Sequence, residues 1–73
     1  MNYELEEIRS MGNDQIMAHM RKIIQGNNRD NPVAHQDMAK MYIVMAQRKG
    51  VDPRSTLKSH GMLEHAEKFG WLQ

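Results

Sequence analysis

Four histidines are the side chains in this sequence that could bind a metal or transfer a proton near neutral pH. His60 and His65 are five residues apart, which places them about 140° apart on a continuous helix and is a poor geometry for sharing one metal. The string between them has neither the H-E-x-x-H nor the H-x-x-E-H spacing of zinc proteases. We therefore expect histidines on polar helix flanks, with no metal ligand and no cofactor.

Hydroxyl and carboxylate groups give no catalytic pattern either. None of the candidate nucleophiles lies in a strand–turn–helix elbow, and there is no glycine-rich phosphate loop. Those candidates are Ser10, Ser55, Thr56 and Ser59. The neighbouring carboxylates of Glu6 and Glu7 face different directions on a helix. A chain of 73 residues also has little room for a substrate cleft. The sequence predicts a protein that is not an enzyme, without catalytic residues or a small-molecule substrate.

Charge is distributed unevenly along the chain, although the net charge is only +1. Residues 1–20 carry a net charge of −3, and residues 21–60 carry +5. The basic side chains concentrate around a turn near residue 50, and such a surface is either simply solvated or a contact for a partner. The candidate contact residues for DNA or another partner are Lys40, Arg48, Lys49, Arg54, Ser55 and Lys58.

The segment 46–58 resembles a helix-turn-helix DNA-binding motif. Ala46 lies four residues before Gly50, the apolar Val51 follows the glycine, and Asp52 is placed to cap the next helix. The resemblance implies that the first turns of the second helix contact DNA. The residues it implies there are Arg54, Ser55 and Lys58, with Arg48 and Lys49 over flanking phosphates.

This segment departs from the motif at one place. Leu57 comes one residue later than the first core position of a recognition helix, which turns the apolar face by about 100°. Helix–glycine–helix corners also join many helix pairs that do not bind DNA. A structure in which Arg54 and Lys58 face inward, or are both paired with Glu64 or Glu67, would exclude the DNA hypothesis.

Capping signals and glycines predict where helices begin and end. Asn31-Pro32 and Asp52-Pro53 each place a capping side chain before a proline, which is the start signal of a helix. Four glycines follow periodic stretches, where left-handed C-caps are expected: Gly12, Gly26, Gly50 and Gly70. A further glycine, Gly61, predicts a break near 59–61. The predicted helical segments are 3–10, 14–25, 32–49 and 53–69.

Apolar periodicity predicts how these helices pack. The apolar residues of 14–25 span about 120° of the helix, whereas those of 32–49 span about 200° and leave a polar strip of Gln36, Lys40 and Gln47. A helix with so wide an apolar arc must be covered on two sides. We expect an all-α fold, one domain over 1–73, built as a compact small bundle of three to five helices around a central helix 32–49. That helix pairs antiparallel with 14–25.

A protein partner is favoured over DNA. The central helix has more apolar surface than two neighbours cover, and the chain holds eight methionines, which suit adaptable protein contacts. The candidate apolar contacts are Ile43, Val44, Trp71 and Leu72, although Trp71 also fits a lid folded back on Ala66. We expect a small inhibitor, adaptor or assembly factor that binds a macromolecular partner through an apolar Met-rich helical face, and that forms a homodimer. A DNA-binding regulator is the alternative.

Neither end of the sequence indicates a membrane or secreted protein. The longest apolar run, 42–46, is far shorter than the roughly 20 residues that span a bilayer. The acidic N-terminus lacks the apolar stretch of a secretion signal. The expectation is a cytoplasmic protein with no membrane contact. A chain this short that begins with methionine is typical of small bacterial or phage reading frames.

Overall fold

Five helices make up the part of the chain that the computed structural model describes, residues 3–26 and 31–72. They are α1 (Leu5–Arg9), α2 (Asn13–Gln25), α3 (Pro32–Lys49), α4 (Pro53–Ser59) and α5 (Leu63–Phe69). These two ranges contain no strand, and no helix in them is long and apolar enough to cross a membrane. The predicted all-α bundle around 32–49 is confirmed.

The two predicted asparagine and aspartate caps start α3 and α4. The side-chain oxygen of Asn31 accepts a hydrogen bond of 3.0 Å from the backbone N–H of Val33. That of Asp52 accepts one of 3.1 Å from the backbone N–H of Arg54. In both helices the proline occupies the first turn, where its missing N–H would have no helical partner. Both predicted helix starts are confirmed.

The predicted glycine caps are confirmed at two of four positions. Gly50 and Gly70 end α3 and α5 in the left-handed conformation. Gly26 follows α2 but has a φ of −74°. Gly12 does not end a helix: α1 already closes at Ser10, and Gly12 precedes α2 in an extended conformation. The predictions of left-handed caps at Gly12 and Gly26 are therefore wrong.

The predicted break in the last segment is confirmed. Gly61 has a φ of 71° between α4 and α5, and the N–H of Met62 bonds back to the carbonyl of Leu57 at 2.9 Å. The two short helices can therefore turn separately. Leu57 on α4 and Ala66 on α5 both reach the interior, although they would point in different directions on one straight helix.

The central helix α3 is covered on two opposite sides. One buried cluster, here called the α1–α2 cluster, comprises Tyr3, Ile8, Ile16, Met41 and Val44. The other, called the α4–α5 cluster, comprises Ala39, Ile43, Leu57 and Ala66. The expectation that the wide apolar arc needs two covers is confirmed. In the described residues, α1 and α2 cover one side of α3, and α4 and α5 cover the other.

The predicted polar strip on α3 is wrong at Lys40, which is 6% exposed. Its ammonium group donates a hydrogen bond of 2.7 Å to the backbone carbonyl of Tyr3 and lies 5.1 Å from the ring centre of Trp71. The neighbouring Asp37, 1% exposed, accepts a hydrogen bond of 2.9 Å from the backbone N–H of Tyr3. Lys40 is covered because it and Asp37 satisfy the backbone polar groups of Tyr3, just before α1.

Candidate functional site

The apolar face of α2 is only partly covered by the rest of the chain. Ile16 is fully buried, and Met20 and Ile23 are half-buried. By contrast, Ile24 is 66% exposed and Met17 is 44% exposed. These five residues share one arc of the helix, so α3 and α1 cover one edge of that arc and leave the other edge to solvent.

The uncovered edge of α2 forms one wall of a groove of about 310 Å³, and α3 forms the other wall. The two helices run antiparallel, since Arg48 near the end of α3 bonds to Asn13 at the start of α2. The described residues that line this α2–α3 groove are Met17, Met20, Arg21, Ile24, Tyr42, Met45 and Lys49.

The walls of the groove are apolar and its charged lining residues are cationic. Arg21 on α2 and Lys49 on α3 are both exposed, and no acidic side chain is among the described residues that line the groove. An apolar trough edged by positive charge can bind a complementary apolar and acidic surface.

The floor of the groove is continuous with the interior of the protein. Met20 and Met45 line the groove and also pack against the α1–α2 cluster. These two methionines therefore have buried neighbours on one side and the groove on the other, and their unbranched thioether side chains can adjust to what the groove binds.

A second, more polar cavity of about 180 Å³ lies near the N-terminus of α3. There the hydroxyl of Tyr3 lies 2.9 Å from Nδ1 of His19, and Lys22 and Asp37 also line the space. Burial, reinforced by the charges of Asp37 and Glu7, raises the pKa of Tyr3. A neutral phenol at this place keeps a hydrogen bond inside the fold.

The remaining histidines lie against other rings. His60 caps the end of α4 and stacks on Tyr42 with ring centres 4.2 Å apart, and the rings of His35 and His65 have centres 6.5 Å apart. Within the described ranges, no three His, Cys, Asp or Glu side chains are grouped closely enough to hold a metal ion.

The corner that resembles a helix-turn-helix motif has the expected backbone. Gly50 adopts the left-handed conformation, the N–H of Val51 bonds to the carbonyl of Ala46 at 2.9 Å, and Asp52 caps α4. Leu57 is buried, and α4 has only seven residues. The corner serves to fold α4 back onto α3.

Four of the six predicted contact residues of this corner have partners within the chain, Lys40 among them. Arg48 donates to the side chain of Asn13 and to the carbonyls of Arg9 and Met11, at 2.7–3.0 Å. It therefore ties the turn between α1 and α2 to the end of α3. The prediction that Lys40 is available to a partner is wrong, because this side chain is buried and satisfies a backbone carbonyl. Arg48 is exposed, so its predicted contact with a partner stays a prediction.

Two residues in the first turn of α4 also have partners within the chain. Arg54 lies 3.7 Å from Glu67, with both side chains more than half exposed, and the hydroxyl of Ser55 donates to the carboxylate of Asp52 at 3.2 Å. The pairing of Arg54 with Glu67 is only half of the arrangement that would exclude the DNA hypothesis, which requires Lys58 to be engaged as well. Lys49 and Lys58 are exposed, as that hypothesis requires.

The predicted apolar contacts lie in the interior or against it. Ile43 is fully buried in the α4–α5 cluster, and Val44 is 2% exposed in the α1–α2 cluster. Both predictions are wrong, because four helices cover α3. Trp71 and Leu72 are half-buried against the α4–α5 cluster, and the N–H of Trp71 bonds to the carbonyl of Ala66. The lid interpretation of Trp71 is confirmed.

The groove itself was missed from the sequence, apart from Lys49. Its signal was present in α2, whose apolar arc of five residues is wider than one neighbouring helix and a five-residue α1 can cover. What the sequence did not show was that α3, with the wider arc, would be the better covered helix. Comparison with protein-family models, with curated proteins and with solved structures finds no match for this chain, so its function rests on the geometry of these residues.

Proposed function

We propose that this protein is a non-enzymatic interaction module that binds a helix of a partner protein in the α2–α3 groove. The observation that carries the proposal is the exposure of Ile24, at 66%, and of Met17, at 44%, in the same groove, whereas the other large apolar residues of α2 are buried or half-buried. Contiguous exposed apolar surface of this kind is typical of interaction sites. The lining side chains bind rather than react.

The shape of the groove favours a helix as its occupant. Its walls are two antiparallel helices, and the side chains of a third helix can pack as ridges into the space between them. The α2 residues that line the groove run from Met17 to Ile24, a stretch of about 12 Å. An amphipathic helix of two to three turns matches that length, with apolar anchors at positions i, i+3, i+4 and i+7.

The energetic gain from such a contact is moderate. Complete burial of an isoleucine or methionine side chain contributes about 1.5–3 kcal/mol relative to full exposure. Ile24 and Met17 are already partly covered, so each contributes a fraction of that amount. The methionines Met20 and Met45 can adjust their rotamers to the incoming side chains. We expect reversible binding of the kind that adaptors and inhibitors use.

Methyl-labelled methionine offers a direct test, since the chain has eight methionines. The probe is an uncharged amphipathic peptide of about 16 residues with leucine anchors and glutamine elsewhere. Saturable shifts of the Met17, Met20 and Met45 methyl resonances are expected, with little change at the buried Met41. Shifts at none of the three groove methionines would contradict the proposal.

Matched variants locate the contact. Met17→Gln and Phe69→Gln remove apolar side chains of similar exposure, 44% and 47%, but only Met17 lines the groove. We expect weaker peptide binding for Met17→Gln and unchanged binding for Phe69→Gln. Equal losses for both variants would indicate nonspecific adhesion instead.

DNA binding through the corner at 46–60 is a second candidate function. The left-handed Gly50, the capped α4 and the exposed Lys49 and Lys58 favour it. The pairing of Arg54 with Glu67 weighs against it, although an exposed ion pair contributes only about 0–1 kcal/mol and can open. Affinity for random duplex DNA at two salt concentrations tests this candidate, since phosphate contacts make log affinity fall linearly with log salt.

A further inference from the structure

We infer that the occupant of the α2–α3 groove is an acidic amphipathic helix, an inference that rests on the proposed function. Charge complementarity carries it. Of the described residues that line the groove, two are cations and none is an acid. A partner with carboxylates beside its apolar anchors would meet both cations, whereas a basic partner would be repelled.

The two cations occupy equivalent places on the two walls. Arg21 follows Met17 by four residues on α2, and Lys49 follows Met45 by four residues on α3. Residues four apart are neighbours on the same face of a helix. Each wall therefore presents a methionine with a positive charge one turn beyond it, and an entering helix meets one cation on either side.

The chain already binds one acidic amphipathic helix of its own. The five residues of α1 include Glu6 and Glu7, both exposed, and Ile8, which is fully buried against α3. Cations of α3 hold both ends of this segment, through Lys40 to the carbonyl of Tyr3 and through Arg48 to that of Arg9. Both cations bond to backbone carbonyls of this segment, so α1 shows that apolar contact bordered by cations holds a helix against α3, and the α2–α3 groove offers the same combination.

A second copy of the chain fits the groove less well. In a two-fold dimer the same patch faces itself, so the Arg21 and Lys49 side chains of both copies would approach one another. The exposed charges of α2 are Asp14, Arg21 and Lys22, which leave it net positive. Self-docking of α2 would therefore bring like charges together, at a cost in affinity.

Three peptides of identical length and leucine pattern test the inference, with Glu, Gln or Lys at every polar position. Fluorescence anisotropy measures their affinities at low salt and at about 0.3 M salt, where exposed charges more than a Debye length apart are largely screened. The expected order of affinity is Glu, then Gln, then Lys. We expect a ratio of about tenfold between the first and last at low salt, narrowing as salt rises.

Charge reversal distinguishes groove cations from the general surface. The double variant Arg21→Glu and Lys49→Glu should invert the order of the three peptides, because the acidic peptide then meets like charge. The control variant Lys58→Glu and Lys68→Glu makes the same change in net charge at exposed positions outside the groove and should keep the order. Equal inversion by both double variants would overturn the inference.

The remaining outcomes separate this inference from the proposed function. Equal affinity for the three peptides, with groove methyl shifts for each, would overturn the acidic helix and leave helix binding standing. If none of the three peptides shifts the methyl resonances of Met17, Met20 or Met45, both the inference and the proposed function are overturned. Concentration-dependent dimerisation that Ile24→Asp abolishes would identify a second copy as the occupant, and preferential co-sedimentation with phosphatidylserine-containing vesicles would identify a membrane; either would overturn the inference.

Discussion

The ammonium group of Lys40 donates a hydrogen bond of 2.7 Å to the backbone carbonyl of Tyr3 in the interior of the protein. Asp37, three residues earlier on α3, accepts from the backbone N–H of the same tyrosine. Two side chains of the central helix thus satisfy both backbone polar groups of one residue. This arrangement fixes the chain just before α1 and brings Ile8 over Met41 and Val44.

We expect Lys40→Met to lower the free energy of unfolding by about 1–3 kcal/mol, because it removes the charged donor of the buried hydrogen bond to the carbonyl of Tyr3. Urea denaturation measures the loss. The control is Gln47→Ala on the same helix, which is exposed and should change stability by no more than about 0.5 kcal/mol. Equal stabilities for the two variants would show that the buried contact contributes nothing.

The pH dependence of stability should report the Tyr3 environment. The raised pKa of Tyr3 means that the unfolded chain ionises first, near its ordinary value of 10.0, while the folded protein still holds the neutral phenol. The stability that the neutral Tyr3 side chain contributes to the folded protein is therefore fully present below pH 10. That stability is lost as the pH rises from there through the pKa of Tyr3 in the folded protein.

The Tyr3→Phe variant isolates this effect, since it lacks the titrating hydroxyl and its contact with His19. The difference in unfolding free energy between wild type and Tyr3→Phe should stay constant from about pH 8 to 9 and shrink above about pH 10. A difference that stays constant up to about pH 11 would contradict this description of Tyr3.

Much of the helical framework could be predicted from local signals. The caps at Asn31 and Asp52, and the interruption at Gly61, depend on residues within one turn of the helix end, so the sequence itself carries the information. The wide apolar arc of 32–49 likewise identified the central helix. These features required no knowledge of which helix lies beside which.

The candidate contacts could not be predicted in the same way, because they depend on long-range packing. From the helical pattern alone, Lys40 is expected to face solvent. It is buried because the backbone carbonyl of a residue 37 positions away accepts its hydrogen bond. From the sequence, Ile43 belongs to apolar surface of α3 that two neighbouring helices cannot cover. In the structure α4 and α5 fold back over it. Ile24 reads as a core residue of an ordinary amphipathic helix, and only the packing of α1 and α3 shows that it is left exposed.

The left-handed conformation of Gly61 makes a matched pair of glycine substitutions informative. Gly61→Ala should destabilise the protein by about 1–2 kcal/mol, because a Cβ is strained at a φ of 71°. Gly12→Ala should cost less, about 0.5–1 kcal/mol, because the φ of −74° and the open space around Gly12 leave only the preference for glycine over alanine at the N-cap of α2. Thermal or urea denaturation measures both, and equal costs would contradict the turn between α4 and α5.

Stability should depend on the core and not on the outer edge of α2. Met41→Ala removes a fully buried side chain and should cost about 2–5 kcal/mol. Ile24→Ala, at a position 66% exposed, should remain within about 0.5 kcal/mol. If Ile24→Ala were as damaging as Met41→Ala, the side chain would belong to the fold and would not be available to a partner.

Binding of a partner helix in the α2–α3 groove is tested by comparing Ile24→Asp with Phe69→Asp, using the glutamine-substituted helical peptide and random duplex DNA as ligands. We expect Ile24→Asp to weaken peptide binding by about tenfold or more, through loss of the most exposed apolar side chain of the groove. Phe69→Asp, at an exposed apolar residue on α5 outside the groove, should bind the peptide like wild type. Peptide affinity unchanged by Ile24→Asp, together with salt-dependent DNA binding that Lys58→Glu abolishes, would contradict groove binding and move the function to the basic corner.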